Sequence, residues 1–167
     1  MMNKRQVIFG ILAMAVMVMI FGFSAKNADE STEESLEVGM TIGKVTVKDF
    51  KKLPYPEQVR FAEKIDHMVR KSAHFLEYTV LGFVLFFTLY GEKLKRVRAG
   101  IFGWFTGTLY AVTDEIHQMF VPGRACMFTD VCIDSGGVLT GTLLSVLILG
   151  IILAVRHRKG MLSSEKL

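Results

Sequence analysis

At 167 residues, 51% hydrophobic and 22% charged, with a mean hydropathy of +0.38, the chain is too apolar in continuous runs for one soluble domain and long enough for a small membrane bundle. A net charge of +4 and a pI near 9.1 would point to nucleic acid in a soluble chain, but here Lys and Arg stand beside apolar runs and set orientation, so a nucleic-acid partner is excluded. Cys126 and Cys132 have no CxxC spacing and no His-spaced partner, which supports neither zinc nor redox chemistry; they read as small buried thiols, with a disulfide open if their loop lies outside the cell.

Lys4 and Arg5 precede an apolar run over residues 7–23, longer than the apolar core of a signal peptide. It is expected to stay as an anchor, although Gly22-Phe23-Ser24 would pass as a small-x-small cleavage site. Residues 25–43 are acidic, with Asp29, Glu30, Glu33, Glu34 and Glu37, while Ser24, Ser31 and Ser35 fall at i, i+7 and i+11 on one helical face. Two readings stay open: the first helix continues past the bilayer, or the segment is a solvated linker. Residues 45–50 are short and β-prone, and Pro54-Tyr55-Pro56 offers a helix start. Over residues 57–70, Phe61, Ile65 and Met68 recur at helical spacing among charges, an amphipathic helix that lies on the membrane or roofs the bundle.

Residues 72–90 form the next apolar segment, with Lys71, His74 and Tyr78 on one face and Glu77 beside them. The connection over residues 91–98 is basic, through Lys93, Lys95, Arg96 and Arg98, and is expected inside the cell. Arg156-His157-Arg158-Lys159 near the end and Lys4-Arg5 at the start carry the same sign. With both termini and this loop cytoplasmic, four spans are required, and four are found, at about 7–24, 72–90, 99–118 and 131–155, with an extracytoplasmic segment over 25–71. The expected fold is therefore a single all-α domain over 1–167, an integral membrane four-helix bundle with an extracytoplasmic linker containing a short amphipathic helix, multi-pass in the cell membrane. Gly103 and Gly107 in the third span, and Gly137, Gly141 and Ser145 in the fourth, are spaced for a close contact between those two helices.

This orientation brings the ionisable residues of three helices and one loop to the outer face. A charge at mid-bilayer costs at least roughly 2.5 to 3.5 kcal/mol on insertion scales, so residues such as Asp114, Arg124 and Asp134 between two apolar runs are there for a reason.

The stretch Arg70-Lys71-Ser72-Ala73-His74-Phe75-Leu76-Glu77-Tyr78 through Leu81-Gly82, and residues 110–141, resemble the VanZ-like family of bacterial membrane proteins. The resemblance rests on Thr113-Asp114-Glu115-Ile116-His117-Gln118, then Phe120-Val121-Pro122-Gly123-Arg124, then Asp130-Val131, Asp134 and Gly137 in order and spacing. Phe23-Ser24-Ala25 with Ser31 and Ser35 is similar to versions from Gram-positive bacteria, where Gln often stands at the position of Lys26 and some members carry Asn at that of Asp134. The family takes its name from a teicoplanin-resistance protein, which implies a role at the cell envelope and no settled reaction.

Three readings of the cluster follow from its residues. The first is a binding site in the lipid bilayer for an anionic lipid or cell-wall precursor headgroup, in which Lys71 and Arg124 contact phosphate, His74 and His117 donate, and Glu77, Asp114, Glu115, Asp130 and Asp134 orient the donors, with Tyr78 and Gln118 completing the contact set. The second is an enzyme on a phosphoester, with His74, Glu77, Asp114, Glu115 and His117 as catalytic candidates and Asp114, Glu115 and His117 as acid, base or ligands of a divalent ion. No established metal motif such as HExxH is present, so neither a metal site nor a cofactor is assigned. The third is an ion-pair network that holds helices in register.

Overall fold

A computed structural model describes residues 3–91 and 94–164, with side chains as far as Arg158. Glu92 and Lys93 of the basic connection, and the side chain of Lys159 in the basic tail, lie outside the described residues. The chain is all-helical, with no strand among the described residues. Helix α1 (Lys4–Ser24) opens on a capping box in which Asn3 and Gln6 satisfy each other's backbone N–H groups. Its side chains are apolar all round and mostly exposed, with Ala13, Ile20 and Ser24 buried, which is the pattern of a helix facing lipid.

The chain then neither continues α1 nor becomes a solvated coil. Asn27 forms a second capping box with Glu30 and starts α2 (Ala28–Thr46), whose first-turn Asp29 and Glu30 suit the positive end of the helix dipole. The β-prone residues 45–50 form no strand. Phe50, fully buried in a 3-10 turn over Phe50–Lys52, folds its ring back over Gly43, in the space a Cβ would occupy, and that burial overrides local propensity.

Pro54 and Pro56 start α3 (Tyr55–Leu89) as expected, but the amphipathic and apolar segments are one helix of 35 residues. No Gly or Pro interrupts residues 57–73, so nothing stops the helix at the polarity change. At 1.5 Å per residue α3 is about 50 Å long, well beyond a hydrocarbon core of about 30 Å. Its N-terminal half pairs with α2 through Gly39 against Ala62, the Ser35–Asp66 hydrogen bond and Phe50 edge-on to Phe61. Met68, expected on the apolar face, is instead 60% exposed.

The C-terminal half of α3 is surrounded by α1, α4 (Arg96–Gln118) and α5 (Phe128–Ser164). Its tightest neighbour is α5. A Cβ at Gly82 would overlap the Val138 carbonyl, one at Gly137 the Phe75 carbonyl and one at Gly141 the Thr79 carbonyl, so the two backbones are in direct contact. The small residues of the last helix thus face α3, not the third span as their spacing led us to expect; of that set Gly107 alone bridges α4 to α5, against the Val138 side chain. Helices α1, α3 and α5 are long and apolar enough to cross a membrane; α4, diluted by glycine and threonine and charged at both ends, falls short by that measure.

Hydrogen bonds at the two ends of α1 set direction. Arg5 reaches the Tyr90 carbonyl and Gln6 the Thr88 carbonyl, joining the start of α1 to the end of α3. At its other end Ser24 meets Asp114 near the end of α4, so α1 and α4 run the same way.

Candidate functional site

The polar side chains gather where α1 and α4 end, α5 begins and α3 passes its midpoint. Asp114, 2% exposed, accepts a 2.7 Å hydrogen bond from Ser24 Oγ on Oδ2, and Gln118 Nε2 lies 3.4 Å from the same oxygen. Asp134, nearly two turns into α5 and 1% exposed, brings both carboxylate oxygens into the same interior. His74 approaches from α3, and one ligand atom each of His74, Asp114 and Asp134 lie within 4.8 Å of one another. Tyr78, fully buried, stands beside both aspartates.

The other expected residues are distributed around this centre. Glu115 is buried on another side of α4 and accepts a 2.9 Å hydrogen bond from the Met127 N–H, which fastens the loop after α4. His117 turns away and packs its ring on Phe21, centroids 4.3 Å apart. Asp114, Glu115 and His117 therefore do not form a common ligand set. Lys71 pairs with Asp130, both about four-fifths buried, and so joins α3 to the first turn of α5. Cys126 and Cys132 are unpaired and exposed; the expectation of buried thiols fails because both fall on the outer side of the chain where α5 begins.

Arg124 follows Gly123, whose φ of +75° the turn requires. Its Nε donates to the Lys26 carbonyl at 3.2 Å, just past the end of α1, and Nη1 lies 3.5 Å from Gln118 Oε1. Burial, and then the neighbouring Arg70, lower its pKa from the usual guanidinium value, against the opposing pull of Asp114, Glu115 and Asp130.

Arg124 lines a cavity of about 220 Å³ with Lys26, Ser31, Ser35, Arg70, His74 and Glu77. Three cations thus reach one small space between α1, α2 and α3. Lys26 also pairs with Glu34 and Arg70 with Asp66 at 2.6 Å, which leaves Arg124 as the cation of the three without a carboxylate partner among the described residues. Lys26, Arg70 and Ser24 were not among the residues assigned to the site from sequence. The serine spacing was the available signal, but Ser24 serves Asp114, Ser35 serves Asp66 and Ser31 lines the cavity. A larger cavity, about 710 Å³, is an apolar groove between α4 and α5 and holds none of this chemistry.

The model of the family described as VanZ/LLP1 matches residues 9–150. The chain belongs to the VanZ/LLP1 family. Neither the curated proteins nor the solved structures hold a match to it. As a VanZ/LLP1 membrane protein, the chain uses the two stretches that carried the resemblance, residues 70–82 and 110–141, as the walls of one polar interior.

Proposed function

We propose that this VanZ/LLP1 protein binds the anionic head group of a phosphate-bearing lipid or cell-wall precursor at the outer leaflet, with a protective role against glycopeptides of the teicoplanin type. The observation that carries the reading is the 220 Å³ cavity into which Lys26, Arg70 and Arg124 converge beside two serines and His74, three cations against the two carboxylates Glu34 and Glu77. Arg124 is its main anion contact, since guanidinium engages phosphate with two parallel hydrogen bonds. Lys71, held by Asp130, serves to dock α3 on α5 and leaves phosphate binding to the other three.

The topology that places this cavity outside has four spans, α4 included, with both termini cytoplasmic. Its supports are the shared direction of α1 and α4, the basic residues at the start of α4, and the acidic α2, which forms with the N-terminal half of α3 a hairpin beyond the bilayer.

The experiment is native mass spectrometry of the protein in nanodiscs containing phosphatidylglycerol and phosphatidylcholine. Retention of the anionic lipid should fall at least tenfold in Arg124→Ala combined with Lys26→Ala, with the helical spectrum unchanged. Equal retention of both lipids, or retention indifferent to the double substitution, would sink the reading.

A further inference from the structure

We infer that His74, Asp114 and Asp134 form a divalent-cation site. Three observations support it independently of the head-group cavity. Their ligand atoms converge from three helices to within 4.8 Å of one another. Both carboxylates are at least 98% buried from bulk solvent. Most tellingly, both oxygens of Asp134, Oδ1 of Asp114 and Nδ1 of His74 have no hydrogen-bond partner among the described residues.

A buried polar atom without a partner costs about 1–3 kcal/mol, more when charged, and two carboxylates this close oppose each other's ionisation. Neither nearby cation is bonded to these aspartates: Lys71 pairs with Asp130, and Arg124 donates to the Lys26 carbonyl and to Gln118. A divalent ion removes the difficulty, because two carboxylates and a neutral imidazole make its site neutral overall, as the apolar interior demands. The other oxygen of Asp114, Oδ2, is engaged by Ser24 and Gln118. Hydrogen bonds of that kind to the far oxygen fix a ligating carboxylate in place.

One imidazole with two carboxylates suits Mn²⁺ or Zn²⁺ better than Cu⁺, which prefers sulfur. Three protein ligands leave positions open for water or an incoming oxygen, and the buried Tyr78 stands beside them. His74 lines the head-group cavity as well, so such an ion would sit at its inner wall.

The test uses the full chain, stripped with a chelator, in nanodiscs of phosphatidylcholine, titrated with Mn²⁺ and Zn²⁺ in the absence of any added phosphate. We expect about one ion per chain, bound about 100-fold or more weakly in Asp134→Asn and Asp114→Asn, about tenfold more weakly in Ser24→Ala, and unchanged in His117→Ala. Absence of stoichiometric binding, or equal binding by wild type and Asp134→Asn, overturns the site; a single proton shared by the two carboxylates then accounts for their burial. Should the aspartate variants fail to fold, Co²⁺ added to the wild type decides: a visible ligand-field spectrum supports the site and its absence refutes it. Because no anionic lipid is present, failure here leaves the head-group proposal standing, and the reverse.

Discussion

Ser24, the last residue of α1, donates a 2.7 Å hydrogen bond to Asp114, ninety positions further along the chain and four residues from the end of α4. Both side chains are buried, and the bond joins α1 to α4 alongside the Phe21–His117 ring contact and the hydrogen bond that the Tyr110 hydroxyl donates to the Met17 carbonyl. Hydrogen bonds between membrane helices average about 0.6 kcal/mol, whereas those to charged groups reach about 1.5–3 kcal/mol. Ser24→Ala should therefore lower stability by about 1–2 kcal/mol, read from thermal melting in detergent, while Ser24→Thr, which keeps the hydroxyl, loses less. Identical melting of Ser24→Ala and wild type would show that Asp114 is satisfied by other groups.

The contact of α3 with α5 makes a sharper prediction, because what opposes a Cβ there is main chain. Gly141→Ala and Gly82→Ala should each destabilise by about 1–3 kcal/mol or more, as overpacking against backbone leaves no side chain to rotate away. Gly22→Ala, where nothing lies within 4 Å, and Gly136→Ala, whose nearest neighbour is a Phe75 ring atom at 3.8 Å, are the matched controls and should melt with the wild type. Equal effects at all four positions would mean that helix propensity, not packing, dominates.

For Lys71 and Asp130, partly buried and paired, the expected coupling lies between that of surface and buried ion pairs, about 1–2 kcal/mol. A double-mutant cycle with Lys71→Met and Asp130→Asn should recover that coupling, so that the double variant is more stable than the sum of the single losses allows. Strict additivity would refute a structural pairing and return Lys71 to the pool of ligand contacts.

Topology is open to direct labelling. With Cys126 and Cys132 replaced, since both are exposed, a cysteine at Met40 should react with an impermeant reagent on intact cells and one at Lys95 only after lysis. The reverse pattern would put the polar interior at the cytoplasmic face and end the outer-leaflet reading.

Several of these features were legible in the linear chain. The helical class, the apolar runs and the helix start at Pro54 all follow from composition and local pattern, since a bilayer demands long apolar helices and penalises every stray charge. The capping boxes at Asn3 and Asn27 are equally local, and in hindsight Asn27 with Glu30 marked the break between α1 and α2.

What the tertiary structure alone decided is which polar groups meet. Along α4, three residues of 100° leave His117 about 60° short of the direction of Asp114, and four carry Gln118 about 40° past it, so helical spacing admits either as a partner. Packing chose Gln118, because Phe21 of α1 takes the His117 ring while Ser24 draws Asp114 and Gln118 together. Asp134 and His74 reach Asp114 only because Gly82, Gly137 and Gly141 let α3 and α5 approach to backbone contact, and the sequence by itself shows that those residues are small without saying which helix they face. Small-residue spacing is the same whichever neighbour a helix packs against; the choice is made by the shapes of all the helices together.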